Sequence, residues 1–467
     1  MRVGFASRDI TPEVGAPIPG GFFRLTSTGV HDPLLTTAAV FEDGERTVAL
    51  VAVDGLFAPT DLMSLARQEI ERRFGISAEA VLIGASHTHS GGPIANGFES
   101  TEDRAYRERV ALAIADAVGE AREKSRDCWI GVGSGLAEGF AFNRRFIMRD
   151  GSHATHPGKG NPNIVAPAGP VDPSLPVLAV KGTDGSFLGA IVGFACHCTT
   201  MGGTLFSADY PFYLRQALSR VFGSSFHTLF FAGASGDVTQ VDNRSNRPLE
   251  FGEEWSFRIG TGLAGEAVNV IAKMEFVTDG SVHYQRQFLR LPLRPVPESM
   301  KQEAENLLSQ NGPPSVERVY AREILLLAEQ FQKSPTVEAE VVALSIGRAA
   351  FVSIPGELFC AYGLRIKKGS PFPVTFVVTC ANGSVGYLPT PEAFIGGGYE
   401  VRLARTSQLM PQASEMIVAT AQSLLTSLPR PTINPSPPVR SPAWDVGASP
   451  PEKTGLVYRS GSFEPIR

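Results

Sequence analysis

Cysteine is scarce in this chain. There are five (Cys128, Cys196, Cys198, Cys360 and Cys380) among 467 residues, an odd number without regular spacing. A chain of this length does not depend on a disulfide framework, so the thiols read as reduced and the expected home is the cytoplasm. Long apolar runs are lacking as well: the longest, such as Thr47–Val53, have strand length and fall short of a membrane span. Blocks of like charge are missing, and the net charge of −5 is spread along the chain, which argues against a nucleic-acid partner. The opening Met1–Ala6 lacks the apolar core of a secretory signal. Hydrophobic residues make up 43 % and charged residues 19 %, enough to build a large buried core.

The expected fold class is α/β, a large domain with mixed sheets covered by helices. Apolar runs at Thr47–Val53, Ala80–Ala85, Leu188–Cys196, Thr228–Ala232 and Ala349–Ile354 read as buried strands. Amphipathic stretches at Asp61–Arg73, Arg104–Lys124, near Tyr210–Val221, and at Glu253–Lys273 alternate with them. Further helices are expected at Ser299–Gln310, Ser315–Gln332 and Gln408–Leu428. The pair within residues 297–334 reads as an insertion between two strands, a cap or an oligomer contact. Residues 1–428 are taken as one domain. Residues 429–467 are rich in Pro and read as an extended tail that packs over the domain or onto another subunit of a homo-oligomer.

Five segments carry chemistry. Ala85-Ser86-His87-Thr88-His89-Ser90-Gly91-Gly92-Pro93 ends a buried strand in two histidines one residue apart, with small residues after them. Imidazole nitrogen is a preferred zinc ligand, and α/β sites form where strands end, although His-x-His also occurs on ordinary surfaces. His197 closes a second strand; read alone, it is a buried histidine bonded to a carbonyl. The flanking Cys196 and Cys198 point to the opposite face from His197 on an extended chain and read as buried structural thiols. Glu357 follows a strand and a Pro-Gly turn, and its bland reading is an acid at a helix start. Tyr387 lies in a loop, by default as a packing residue. Gly233-Ala234-Ser235-Gly236-Asp237-Val238-Thr239 is a glycine-rich turn that either offers amides to an oxyanion or is simply a tight turn with Asp237 as a cap. His31 and Asp32 read as a structural turn, and His153 and His156 as surface or rim residues.

In this order the five segments resemble the neutral ceramidase family. Ser86–Pro93 is similar to its Thr-His-Thr-His-Ser-Gly-Pro segment with one glycine added, and Pro355-Gly356-Glu357-Leu358 is similar to Pro-Gly-Glu-Phe. Gly236-Asp237-Val238-Thr239 stands for Gly-Asp-Val-Ser, with threonine in place of serine. Asp9-Ile10-Thr11-Pro12, Gly29–Leu34 and Asn143-Arg144 also look like the family. The resemblance implies zinc held by His87, His197, Glu357 and Tyr387. It gives His89 a place beside the metal as a proton carrier and puts Arg144 at the substrate carbonyl. Zinc-bound water would attack an amide (N-acyl) carbonyl of a small-molecule or lipid substrate in sphingolipid metabolism. Tyr387 and Arg144 would stabilise the oxyanion, Asp237 would orient a ligand histidine, and Thr239 would contact substrate.

The family's secretory signal and C-terminal immunoglobulin-like domain are not expected here, which widens the candidates to soluble amides, esters or lactones. The remaining alternatives are a metal-dependent esterase or lactonase on a soluble small molecule, and a non-catalytic zinc-containing binding protein. A TIM-barrel amidohydrolase would place His-x-His on its first strand, and a metallo-β-lactamase would follow it with Asp-His where Ser90-Gly91 stand.

Overall fold

Strands buried on both faces carry near-continuous Val, Ile, Ala and Phe, and that is what the long central strands of this chain show. The computed structural model describes residues 1–278 and 280–431, and beyond them only the backbone of two paired strands, Leu456–Arg459 and Ser462–Pro465. The expected Pro-rich tail and its packing lie almost wholly outside the described residues.

The main sheet runs in the order His227–Ala232, Phe187–Phe194, Ser174–Gly182, Arg126–Leu136, Arg2–Asp9, Leu35–Glu42, Thr47–Val53, Val81–Ala85. Its outermost pairs at either edge are parallel and those between them antiparallel, so the sheet is mixed. It coils until its edges meet: a side chain at Gly84 on one edge would fall 2.9 Å from Phe231 on the other. Four strands that apolar pattern did not single out fill the middle. One of them, Arg126–Leu136, is weakened as a pattern by Gly131, Gly133 and Gly135, and side chains at these positions would collide with Phe276, Val270 and Glu266. Those glycines let a helix lie close.

Helices α1 (Thr60–Phe74) and α2 (Arg104–Glu123) follow the expected spans within a residue, and α3 (Tyr210–Phe222) and α4 (Glu253–Lys273) do likewise. Residues alternate between faces along a strand. Val177 and Ala179 therefore join a core with Leu263 and Ala267 of α4, while Leu178 and Val180 face the other way. On that inner side lies a second sheet, in the order Val282–Pro292, Thr336–Ile346, Ala349–Ser353, Val374–Val378. Phe376 and Phe351 stack there at 4.3 Å between centroids.

The connection between the first two strands of this sheet is a helical pair, α5 (Glu298–Ser309) and α6 (Val316–Lys333). Helix α7 (Cys360–Gly369), the short α8 (Pro391–Gly396) and α9 (Gln412–Ser427) follow, with Ile366, Ile417 and Val418 in one buried cluster with Val341 and Ala350. Helix α9 starts four residues later than expected because Pro411 stands just before it; the fixed proline ring suits a helix entrance and not its interior. Among the described residues no helix is long and apolar enough to cross a membrane.

Candidate metal centre

The candidate residues gather where parallel strands end. Val81–Ala85 leads to His87, Phe187–Phe194 to His197, His227–Ala232 to the Gly233–Thr239 turn, and Ala349–Ser353 to Glu357. Strand ends alone do not bring side chains together; backbone pairing does. His89 N–H donates to Cys198 O at 3.2 Å, which ties the two histidine segments side by side, and Glu357 pairs with Tyr387 in a two-residue parallel ladder. Gly236 passes so close that a side chain there would meet Glu357 O at 2.3 Å. His87 has φ of +64°, sparsely populated for a residue with a Cβ, and Cys380 and Asn382 opposite it have +51° and +56°. Strained backbone of this kind persists where the surroundings hold it, and it turns the His87 ring inward.

All three rings are fixed through Nδ1. His87 Nδ1 lies 2.8 Å from Leu56 O, His89 Nδ1 2.7 Å from Gly20 O, and His197 Nδ1 2.7 Å from Ser235 O. A carbonyl only accepts, so each Nδ1 carries hydrogen, and in the neutral ring each Nε2 presents a lone pair. Those lone pairs converge. His87 Nε2 is 3.3 Å from His89 Nε2, and Glu357 Oε2 lies 3.3 Å from His87 Nε2 and 3.2 Å from His197 Nε2. A four-coordinate ion with bonds of about 2.0–2.1 Å sets its ligand atoms roughly 3.3 Å apart. The donor set and these short separations suit a metal ion, and the ligand atoms of His87, His89 and His197, all within 4.8 Å of one another, form a largely buried group compatible with one.

Electrostatics describe the same point. Burial opposes charge on His87, but Cys380 and Glu357 raise its pKa well above the ordinary histidine value. Burial and the neighbouring His87 bring His89 down to about 3. Burial and Arg144 hold His197 well below its usual value. Burial would raise Glu357, yet His87 and His197 outweigh it and keep the carboxylate ionised. The protein by itself thus balances one carboxylate with one proton among three imidazoles.

Arg144 reaches the cluster from the side. Its Nη1 is 3.3 Å from His197 Nε2, and its Nη2 donates to Gly236 O at 2.8 Å and to the Tyr387 hydroxyl at 3.1 Å. The structure thus brings together His87, His89, His197, Glu357, Arg144 and Tyr387. One expectation needs correction. Asp237 does not orient a histidine: its carboxylate accepts from Asn143 Nδ2 at 2.7 Å and from the Cys360 amide at 2.8 Å, at the entrance to α7. Backbone carbonyls do the orienting instead, because the turn folds back over His197. Thr239 is buried, and its hydroxyl accepts from the Val241 amide at 3.3 Å within its own turn. His156 is exposed, as expected of a rim residue, with its Nδ1 3.1 Å from Asn243 Oδ1.

Sequence reasoning missed Tyr399 and Glu400. Tyr399 packs edge-on to Tyr387 at 5.6 Å, and Glu400 is fully buried between Arg144 and Arg145. Both follow Gly396-Gly397-Gly398, a stretch without periodicity, and the partners of Glu400 lie about 250 positions away in sequence. Of the three imidazoles only His89 is partly exposed, so approach is from its side. Phe22, two residues beyond the Gly20 carbonyl that holds His89, stacks on Phe98 at 4.9 Å and sits edge-on to Tyr399 at 5.9 Å, with Tyr320 of α6 at 6.2 Å. A cavity of about 440 Å³ opens next to Phe57, whose ring lies 5.4 Å from that of His87; it is lined among others by Asp61, Glu102, Arg107, Glu323 and Arg405. A mainly apolar cavity of about 420 Å³ under Phe142, Phe146 and Val171 shares none of the imidazole residues.

The fold and the cluster define an α/β protein with a metal-type site at the strand ends. Compared with known proteins, the chain is 25 % identical over 320 residues to neutral ceramidase of Pseudomonas aeruginosa, a match covering 63 % of this chain and 46 % of that protein. It therefore spans about half the length of the curated relative it matches. The crystal structure of the Pseudomonas aeruginosa neutral ceramidase superposes with a TM-score of 0.69 at 19 % identity, covering 93 % of this chain and 76 % of the other. A structure described as ceramidase complexed with C2 gives 0.70 at 18 %, covering 93 % and 77 %. No family model matches. The fold is thus that of the neutral ceramidase structures, and the sequence similarity to the Pseudomonas aeruginosa protein runs in the same direction as the motifs.

Proposed function

We propose that this chain is a zinc-dependent hydrolase that cleaves an amide bond in the manner of a ceramidase. The observation carrying the proposal is the convergence of three Nδ1-anchored imidazoles and Glu357 on one buried point in a ceramidase-type fold. When bound, zinc lowers the pKa of a coordinated water to near ~7 and polarises a carbonyl. His87, His197 and Glu357 would hold the ion, with Tyr387, paired with Glu357 along the backbone, as the further ligand. Arg144 and Tyr387 offer hydrogen-bond donors to the oxygen on which charge develops, and being held in advance they need not reorganise. His89, its Nδ1 held on Gly20 O and its ring the one partly exposed imidazole of the three, is placed to carry a proton to the leaving amine.

The ceramidase likeness supports a lipid amide as substrate, and with it a place in sphingolipid metabolism. The charged lining of the cavity beside Phe57 supports a second reading, a soluble amide, ester or lactone with a polar group seated there. Residues 1–428 act as the hydrolase domain in this proposal, with 297–334 capping the site through Tyr320 and the C-terminal segment available for self-association. Five buried free thiols accord with a cytoplasmic home.

The test is hydrolysis of a short-chain N-acylsphingosine and of soluble N-acyl amides and esters, with and without chelator, followed by zinc add-back. Zinc-restored amide cleavage supports the proposal. Stoichiometric zinc with no hydrolysis of any of these compounds would leave a structural zinc protein and overturn it.

A further inference from the structure

Glu400 is fully buried, and the chemistry above gives it no part. Its Oε1 accepts from Arg144 Nε at 2.8 Å, and its Oε2 accepts from Arg145 Nη1 at 2.5 Å and from Thr155 Oγ1 at 2.8 Å. Arg145, itself buried, is also tied to Gly397 O at 2.5 Å. One carboxylate thus clamps the segment carrying Tyr399 to the strand carrying Arg144.

The clamp decides where Arg144 points. With Nε held on Glu400, the planar guanidinium can only turn its two remaining nitrogens toward Gly236 O, Tyr387 and His197 Nε2. The last contact matters most, because His197 Nε2 is also one of the nitrogens facing Glu357. A guanidinium 3.3 Å from that atom stands beside any cation the cluster holds. Buried charges are poorly screened, so an uncompensated Arg144 would repel a divalent ion. Glu400 supplies the opposite charge on the edge of Arg144 turned away from the cluster.

We infer that Glu400 is a positioning residue that both aims Arg144 at the reacting carbonyl and neutralises it enough for a divalent metal to bind beside it. The catalytic half of this inference rests on the hydrolase reading; the metal-affinity half does not. An ordinary structural role, in which Glu400 only holds two loops together, makes a different prediction, and a double-mutant cycle separates the two.

Zinc affinity is measured by competition with a chromophoric chelator in the full chain, in E400Q, in R144M and in E400Q/R144M. E400Q is expected to weaken zinc binding about 10- to 100-fold, the range seen when a group behind a metal ligand is removed. R144M is expected to bind zinc at least as tightly as the unaltered chain, and the double variant is expected to match R144M. Where hydrolysis is present, kcat of E400Q falls by a similar factor with KM little changed. The inference is overturned if E400Q keeps full zinc affinity, or if its loss persists in the R144M background, which is what simple loop collapse would give. Should E400Q not fold, E400D carries the same cycle, since it keeps the charge but draws it back from Arg144. A chain that binds zinc yet cleaves nothing refutes the hydrolase reading and leaves the affinity cycle intact.

Discussion

Replacing Glu357 by glutamine changes one anion to a neutral amide of the same shape at the centre of the cluster. Its Oε2 is the atom common to two of the short approaches, 3.3 Å to His87 Nε2 and 3.2 Å to His197 Nε2. These two separations match those between ligands of a four-coordinate ion, so the carboxylate already stands where a ligand would, and the loss on substitution is the loss of the ligand itself. Binding of roughly 10–16 kcal/mol shared among four ligands puts about 3–4 kcal/mol on each. At 1.4 kcal/mol per tenfold, Glu357→Gln should weaken zinc binding by roughly 10²–10³. The assay is chelator competition with metal content measured after dialysis, alongside thermal melts of the metal-free proteins to show that the fold survives. Unchanged affinity and stoichiometric zinc in the glutamine variant would refute the reasoning, since the remaining groups of the cluster offer no second carboxylate to replace it.

Removing metal with a chelator should lower the melting temperature by about 5 °C and abolish hydrolysis, since a ligand at 100 times its Kd adds about 2.7 kcal/mol; scanning calorimetry before and after zinc add-back checks this. Asp237→Ala should cost roughly 2–4 kcal/mol in denaturant stability by stranding the Asn143 amide and the Cys360 N–H, while leaving zinc affinity unchanged. Tyr387→Phe should lower kcat about 10- to 100-fold and keep the fold, because only the hydroxyl facing Arg144 is lost; steady-state kinetics on the best substrate measure it. Burial raises Asp209 to about 6, so the folded chain holds its proton more tightly than the unfolded chain does. Its contribution is therefore full below about pH 4 and is lost as pH rises through about 6, worth roughly 3 kcal/mol; urea midpoints from pH 4 to 7 should fall less steeply with rising pH in Asp209→Asn than in the unaltered chain.

Much of this protein was determined by local sequence. Apolar runs and helical periodicity placed Thr47–Val53, α1–α4 and the helical pair α5 and α6 within a residue or two, because each is a segment whose pattern of burial repeats along its own length. Histidines and a glutamate at strand ends marked the candidate site, since chemistry-bearing residues there are few and the small residues around them are conspicuous. Tertiary structure decided the rest. Arg126–Leu136 is a strand because α4 packs onto its glycines, a partner that no window around it contains. Asp237 turned out to serve α7 rather than a histidine because the chain doubles back and presents carbonyls to His197 first. Glu400 finds Arg144 across about 250 residues, and burial without water leaves a carboxylate no choice but to seek a cation. The sequence named the donors; only the folded chain drew the imidazole nitrogens and the carboxylate together around one buried point.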